Sequence, residues 1–267
     1  MKLAIRSSFT RRVLSAALLP LLALAGCEAQ SGAGGSGKSG DGIVQDLGLY
    51  TSLPILWGES GDIRGFLNPG EARHWARQTL GSARSLVPLD SLADASGALP
   101  LSGNSVLLLA QPRPLTPQEN VALDNWVRSG GRVLLFVDPM LTAPSIFALG
   151  DTRRPQDVAM LSPILGRWGL VLEFDEAQQP GERLVALREG GMPVNLPGRF
   201  RLTGKSGNEG SSCSLEAAGF LADCRVGAGQ VLALADAALF EDSRDPNDAQ
   251  ERAALLRNLL RRTAAEK

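Results

Sequence analysis

One histidine, one tyrosine and three cysteines are all that 267 residues contain of those types, and aromatic residues make up 5% of the chain. Each scarcity closes a class of chemistry. A single histidine beside Cys213 and Cys224, eleven residues apart, does not make the ligand set of a zinc site. A Cys–His or Ser–His nucleophile pair would have to use His74. That residue falls with Arg73, Arg77 and Gln78 on the polar side of a helical pattern, so it reads as solvated. No G-x-S-x-G elbow occurs. Charge of one sign is also lacking, with 27 basic and 28 acidic residues. Lys2, Arg6, Arg11 and Arg12 are the only charges in the first 26 positions, which leaves 23 basic and 28 acidic residues beyond them. A body that is net acidic offers no basic face for nucleic-acid phosphates, and no nucleic-acid partner is expected. Past the first 26 residues there is no long apolar run. Val13 to Leu24 is itself shorter than the roughly 20 apolar residues of a membrane span.

What the start does contain is the grammar of an export signal over residues 1–26: basic residues, an apolar run, then small residues. It ends in Leu24-Ala25-Gly26-Cys27, which resembles a bacterial lipobox. The resemblance implies a diacylglycerol on Cys27 Sγ, cleavage before Cys27 and acylation of the new N-terminus. Two or more lipid chains hold a protein stably on a bilayer where one would be reversible. The expected localisation is therefore the cell envelope, with the membrane as partner through Cys27. Glu28, standing where Asp would retain a lipoprotein, favours the periplasmic face of the outer membrane over the inner membrane. The other reading is an ordinary signal peptide with an incidental cysteine. Thr10-Arg11-Arg12 also resembles a twin-arginine signal, from which Ser15 departs, so the export route stays open. With Cys27 lipidated, Cys213 and Cys224 are left as a pair. A disulfide between them would stabilise by about 3 kcal/mol through loop closure; two buried thiols are the alternative.

Residues 32–39 read GAGGSGKS and match the phosphate-cradling pattern G-x-x-x-x-G-K-[ST]. A working loop of this kind follows a buried strand and opens a helix. Here the apolar run upstream belongs to the export signal, and Gly40 and Gly42 downstream are poor helix material. Arg132 to Asp138 looks like the accompanying acidic strand, but any buried parallel strand ending in Asp has that appearance. Residues 27–45 are better explained as the lipidated cysteine and a Gly/Ser-rich tether, with an r.m.s. reach of about 20 Å. Nucleotide binding is the minor reading, and no cofactor is expected.

Between residues 46 and 262 short apolar runs alternate with amphipathic segments, leaving 263–267 as a tail. Strands are expected at 47–53, 85–87, 105–109, 132–137, 170–174 and 230–236. A helix is predicted from Asn68-Pro69-Gly70-Glu71 to Gly81. A second opens at the capping box Thr116-Pro117-Gln118-Glu119 and buries Val121, Ala122, Trp126 and Val127. Others are expected over 162–168 and 248–262. The runs at 105–109 and 133–137 are apolar at nearly every position, the mark of a parallel sheet covered on both faces. Residues 176–225 read as a β-rich antiparallel extension. The fold class is α/β, a doubly wound and mostly parallel sheet.

Several stretches then resemble one family. They are Pro114-Leu115-Thr116-Pro117-Gln118-Glu119, Leu123, Gly130-Gly131-Arg132, Asp138-Pro139, Leu165 to Leu170, Gly229 to Asp236 and Asn258-Leu259-Leu260. Together they are similar to the GATase-like accessory domain of uncharacterised ABC transport systems, including the gliding-motility-associated ones. The resemblance implies a flavodoxin-like fold related to class I glutamine amidotransferases, an extracytoplasmic role, and a permease and ATPase as possible partners. It implies no demonstrated reaction. The amidotransferase cysteine and its histidine have no counterpart here, so a non-catalytic accessory or binding component is expected. If a ligand pocket exists, Ser52, Gln111, Asp138 and Asp236 would surround its mouth, because each ends or follows a core strand. Asp138 and Asp236, with Glu59 or Asp242, give the alternative of a metal-assisted carboxylate hydrolase. Capping of the following turns is the plainer role for both aspartates. Trp57-Gly58-Glu59 would form a lid over such a pocket or simply pack.

Overall fold

The computed structural model describes residues 46–59, 74–82, 84–204, 210–241 and 245–265. Cys27, the GAGGSGKS stretch, the Asn68 cap and Asp242 lie outside the described residues.

The strands in chain order are β1 (Leu47–Thr51), β2 (Leu86–Pro88), β3 (Val106–Ala110), β4 (Arg132–Phe136), β5 (Leu170–Glu173) and β6 (Arg183–Leu187). They continue with β7 (Gly190–Val194), β8 (Arg199–Leu202), β9 (Ser211–Glu216), β10 (Leu221–Val226) and β11 (Gly229–Leu234). Seven of them form one sheet in the order β2-β1-β3-β4-β11-β10-β9. The five from β2 to β11 run parallel. Counted among themselves they stand in the order 2-1-3-4-5, that of flavodoxin-like doubly wound sheets. The apolar runs of β3 and β4 account for their central place: β3 is buried at every position, and only Arg132 of β4 is partly exposed. The expected fold class holds.

Among the described residues four α-helices cover the sheet: α1 (Trp75–Gly81), α2 (Pro117–Arg128), α3 (Ser162–Trp168) and α4 (Pro246–Ala264). α1 packs with α4 on one face, and α2 with α3 on the other. The capping box of α2 forms as read: Thr116 Oγ1 accepts from the Glu119 amide at 3.2 Å, and Glu119 Oε2 accepts from the Thr116 amide at 2.9 Å. Its buried stripe is Ala122, Leu123, Trp126 and Val127, while Val121 is 54% exposed. The inward reading of Val121 is corrected, because a stripe centred on 122–123 and 126–127 turns position 121 to solvent. α3 ends at Gly169, whose φ of 89° is the left-handed cap that glycine adopts without strain. At Gly229 a Cβ would lie 2.0 Å from the Val127 carbonyl oxygen, so β11 can pass beneath the end of α2 only with glycine there.

The 176–225 region is less uniform than its composition implied. β6 and β7 form a separate antiparallel pair, and β5 pairs with β8. β9 and β10 instead extend the main sheet beyond β11. Cys213 and Cys224 stand opposite each other in the β9–β10 register and are joined, with S–S 1.97 Å. α4 runs to Ala264, two residues past the expected boundary. No helix among the described residues is long and apolar enough to cross a membrane.

Candidate functional site

In a sheet of this order the ligand crevice opens at the C-terminal ends of β1 and β3, where the chain connections diverge to opposite faces. Ser52 follows β1 and Gln111 follows β3, so the two border that crevice. Asp138 and Asp236 lie beyond the ends of the adjoining β4 and β11. The structure brings Ser52, Gln111 and Asp138 into one hydrogen-bonded network.

Its centre is Gln111, fully buried, with φ +43° in a region that a side-chain-bearing residue rarely adopts. The side-chain amide donates from Nε2 to the carbonyls of Gln156 at 2.7 Å and Asp138 at 3.0 Å. Its Oε1 accepts from the Asp138 amide at 2.8 Å. Ser52 Oγ donates to the Gln111 carbonyl and accepts from the Gln156 amide at 2.9 Å. Gln156 belongs to the long segment between β4 and α3, and its backbone lies across the crevice. That segment is held further by Ala159 N to Asp138 O and Leu141 N to Asp157 O, both 2.9 Å. A strained residue at the end of a core strand is where a nucleophile elbow would stand. Here the position carries a carboxamide, and its polar atoms join three chain segments.

The two aspartates are likewise engaged. Asp138 accepts from the amides of Met140 at 2.8 Å and Ala237 at 3.2 Å. Asp236 accepts from the amides of Ala238 at 2.6 Å and Asn195 at 2.9 Å. Neither is exposed at all. Burial pushes the Asp138 carboxyl up to about 6, against the pull of its two amide donors and with a contribution from the Glu241 charge. Burial raises Asp236 well above the usual carboxylate range too, and the nearby Asp138 charge adds to it. Both therefore turn the chain at strand ends, the capping role read for them above. Glu59 accepts from Ser145 Oγ and the Ile146 amide, each at 2.7 Å, and so ties the first loop to the long segment. Among the described residues no group of three or more His, Cys, Asp or Glu is placed to hold a metal ion. Trp57 is 64% exposed, with the Arg77 guanidinium 6.0 Å from its ring centroid, and does not pack into the domain.

His74 overturns its solvated reading. It caps α1 instead of lying on its outer face, and it is buried beside Trp75. Nδ1 accepts from the Ala76 amide at 3.1 Å, and Nε2 lies 2.7 Å from the Phe240 carbonyl. Acceptance at Nδ1 and donation from Nε2 fix the neutral tautomer and occupy both nitrogens. Three further carboxylate clusters tie the fold together. Glu119 accepts from the Leu92 amide and pairs with Arg113 at 3.0 Å. Burial alone would raise Glu119, but its amide donors, helped by Thr116 and Arg113, hold it at about 2. Asp124 gathers Arg128, Arg167 and the Trp168 indole N–H at 3.0, 2.6 and 3.1 Å. Arg262 joins Glu189, Glu216 and Asp223. Only Glu119, in its capping box, and Asp124, four residues before Arg128, left a signal in the sequence.

Six of the nine exposed large apolar residues seen among the described residues lie on the loops that follow β1 and β4: Trp57, Met140, Ile146, Leu149, Val158 and Met160, with Leu149 79% exposed; Val121, Leu184 and Leu202 lie elsewhere. Two cavities among the described residues lie away from the crevice. One of about 790 Å³ sits under the β-rich extension, and another of about 530 Å³ lies between α1 and α4.

Comparison with curated proteins found no match. Among solved structures, an exo-β-1,4-mannosidase from Opitutaceae bacterium strain TAV5 is similar at 16% identity and a TM-score of 0.46, over 83% of this chain and 36% of that one. A ThuA-like protein from Bacteroides uniformis aligns at 12% identity and a TM-score of 0.36, over 81% and 89% of the two chains. A cytoplasmic protein of Salmonella typhimurium LT2 does so at 11% and 0.39, over 82% and 99%. The chain spans about a third of the length of the glycosidases it matches. Strand order and connection, not these likenesses, define the fold. Residues 84–209 match the family model described as ABC-type uncharacterized transport system, and over that segment the match bears out the resemblance read from the sequence, that of an accessory component of an uncharacterised ABC transport system.

Proposed function

We propose that this chain is a non-catalytic, lipid-anchored accessory protein of an ABC transport system, and that it docks onto a partner protein through the loop surface over its sealed crevice. The observation that carries the reading is the occupation of the crevice by the chain itself. Gln111, Ser52 and Gln156 spend on one another the polar groups that would meet a ligand there. The segment that seals it, between β4 and α3, is longer than ordinary connections, and such segments usually carry function. Its Met140, Ile146, Leu149, Val158 and Met160 face solvent, and clustered exposed hydrophobes mark interaction surfaces. Lipid anchoring rests on the Leu24-Ala25-Gly26-Cys27 sequence. Against the hydrolase alternative stand the burial and amide bonding of Asp138 and Asp236.

The test is crosslinking in the native envelope followed by identification of the captured proteins. Transporter permease or ATPase subunits should be recovered, and the Ile146→Ser/Leu149→Ser variant should lose them while melting at the same temperature. Recovery of no transporter subunit would overturn the partner assignment. Metabolic labelling with palmitate should disappear in Cys27→Ala; label that persists there would refute the anchor.

A further inference from the structure

The other end of the sheet carries a different surface. Neighbouring residues across its N-terminal edge run Leu86, Leu47, Val106, Arg132, Gln230, Arg225 and Ser212. Leu47 opens the first strand, so the chain that follows Cys27 joins the domain at this edge. Two cavities open along it. The one of about 530 Å³ has a floor of Leu47, Leu80 and Leu260 and is walled by Arg84, Arg257 and Arg261. The other, of about 520 Å³, is lined by Arg132 and Arg225, and also by Asp223, whose carboxylate is held by Arg262. The last turns of α4 connect them, with Arg257 and Arg261 at the first cavity and Ala265 at the second. Arg257 and Arg225 make no ion pair among the described residues, and the one bond seen for Arg261 goes to the Asn258 amide oxygen.

Five guanidinium groups on one edge are out of keeping with a chain that is net acidic beyond residue 26. A helix C-terminus favours cations in its last turn, which accounts for Arg261 but not for Arg257, two turns from the end. Nor does it account for Arg84, Arg132 and Arg225, which stand on three other segments. Guanidinium matches phosphate in geometry as well as charge, and an apolar floor beneath a ring of arginines suits a phosphate ester that carries hydrocarbon.

We propose that this edge is the membrane-facing surface of the domain, and that Arg84, Arg132, Arg225, Arg257 and Arg261 contact the headgroups of anionic phospholipids in the bilayer that holds the lipid on Cys27. The inference rests on the anchored reading above. It places the apolar loop surface, at the opposite ends of the strands, away from the bilayer and toward a partner.

The probe is the purified full-length lipoprotein mixed with phosphatidylcholine vesicles made with or without phosphatidylglycerol. Amide hydrogen exchange is followed in residues 257–264, and vesicle attachment is measured separately by flotation. Exchange in the last turns of α4 should slow several-fold only when phosphatidylglycerol is present, and the effect should vanish at about 1 M salt, where charges are screened beyond roughly 3 Å. Arg257→Gln/Arg261→Gln should lose most of this protection with attachment unchanged, since each basic residue near an anionic surface contributes a factor of about five. Arg153→Gln, on the loop between β4 and α3, should keep it. Equal exchange on the two vesicle types would overturn the proposal. Flotation of Cys27→Ala on phosphatidylcholine vesicles alone would instead defeat the anchor, while the exchange comparison would still decide the surface.

Discussion

Gln111 is the residue on which the sealed crevice depends. Its side chain supplies a partner to the Asp138 amide and to the carbonyls of Gln156 and Asp138. Gln111→Ala would leave these groups buried without that partner and should lower stability by about 2–4 kcal/mol. Denaturant titration measures the loss, and a change below about 1 kcal/mol would show that the network carries little. The aspartates beside it set a pH dependence of unusual sign. A carboxyl raised on folding binds its proton more tightly in the folded state, so its contribution is present at low pH and lost as pH rises through the folded value. With Asp138 at about 6, stability should fall between pH 4 and about 6, by roughly 3 kcal/mol at most, with Asp236 acting in the same direction. Glu119, held at about 2, acts oppositely and withdraws stability as pH falls below the ordinary carboxylate value. The optimum should therefore lie near pH 4, and Asp138→Asn should flatten the limb above it; a wild-type protein more stable at pH 8 than at pH 5 would contradict this. The sequence showed that Ser52, Gln111, Asp138 and Asp236 stand at strand ends, because strand ends follow from apolar runs. It did not show that Gln156, forty-five residues past Gln111, lies across the ends of β1 and β3. Nothing local to Gln156 records that contact. His74 failed for a related reason, since its helical spacing was legible but its meeting with the Phe240 carbonyl was not.

At the scale of the element, periodicity and capping were dependable guides. The continuous apolar runs of β3 and β4, the Thr116 box of α2 and the Gly169 stop of α3 each have a local physical cause. The antiparallel extension was harder to read. Short alternating strands such as β6, β7, β9 and β10 look alike in sequence, and their pairing is decided by neighbours far along the chain. Thus β9 and β10 continue the main sheet, whereas β6 and β7 pair apart. The close passage of β11 under α2 gives this architecture a point of failure. Gly229→Ala would press a methyl group into the carbonyls of Val127 and Gly131, so stability should fall by about 1–3 kcal/mol as the helix end is forced outward. Gly166→Ala, where a Cβ meets nothing within 4 Å, is the control and should be nearly neutral. Equal thermal midpoints for the two variants would contradict the close approach.

For the whole molecule the two ends of the sheet divide the work. The N-terminal edge carries Leu47 and the arginines, and the C-terminal edge carries the sealed crevice under an apolar loop surface. On the function proposed above, such a domain would turn its apolar loop surface away from the bilayer and toward a partner. The most direct test is a photo-crosslinking residue placed at Leu149 in living cells, compared with one at Leu184, which is exposed to 69% on the separate β6–β7 pair. The account expects a discrete adduct from position 149, containing a subunit of an ABC transporter, and none from position 184. No adduct from position 149, or the same adducts from both positions, would contradict it.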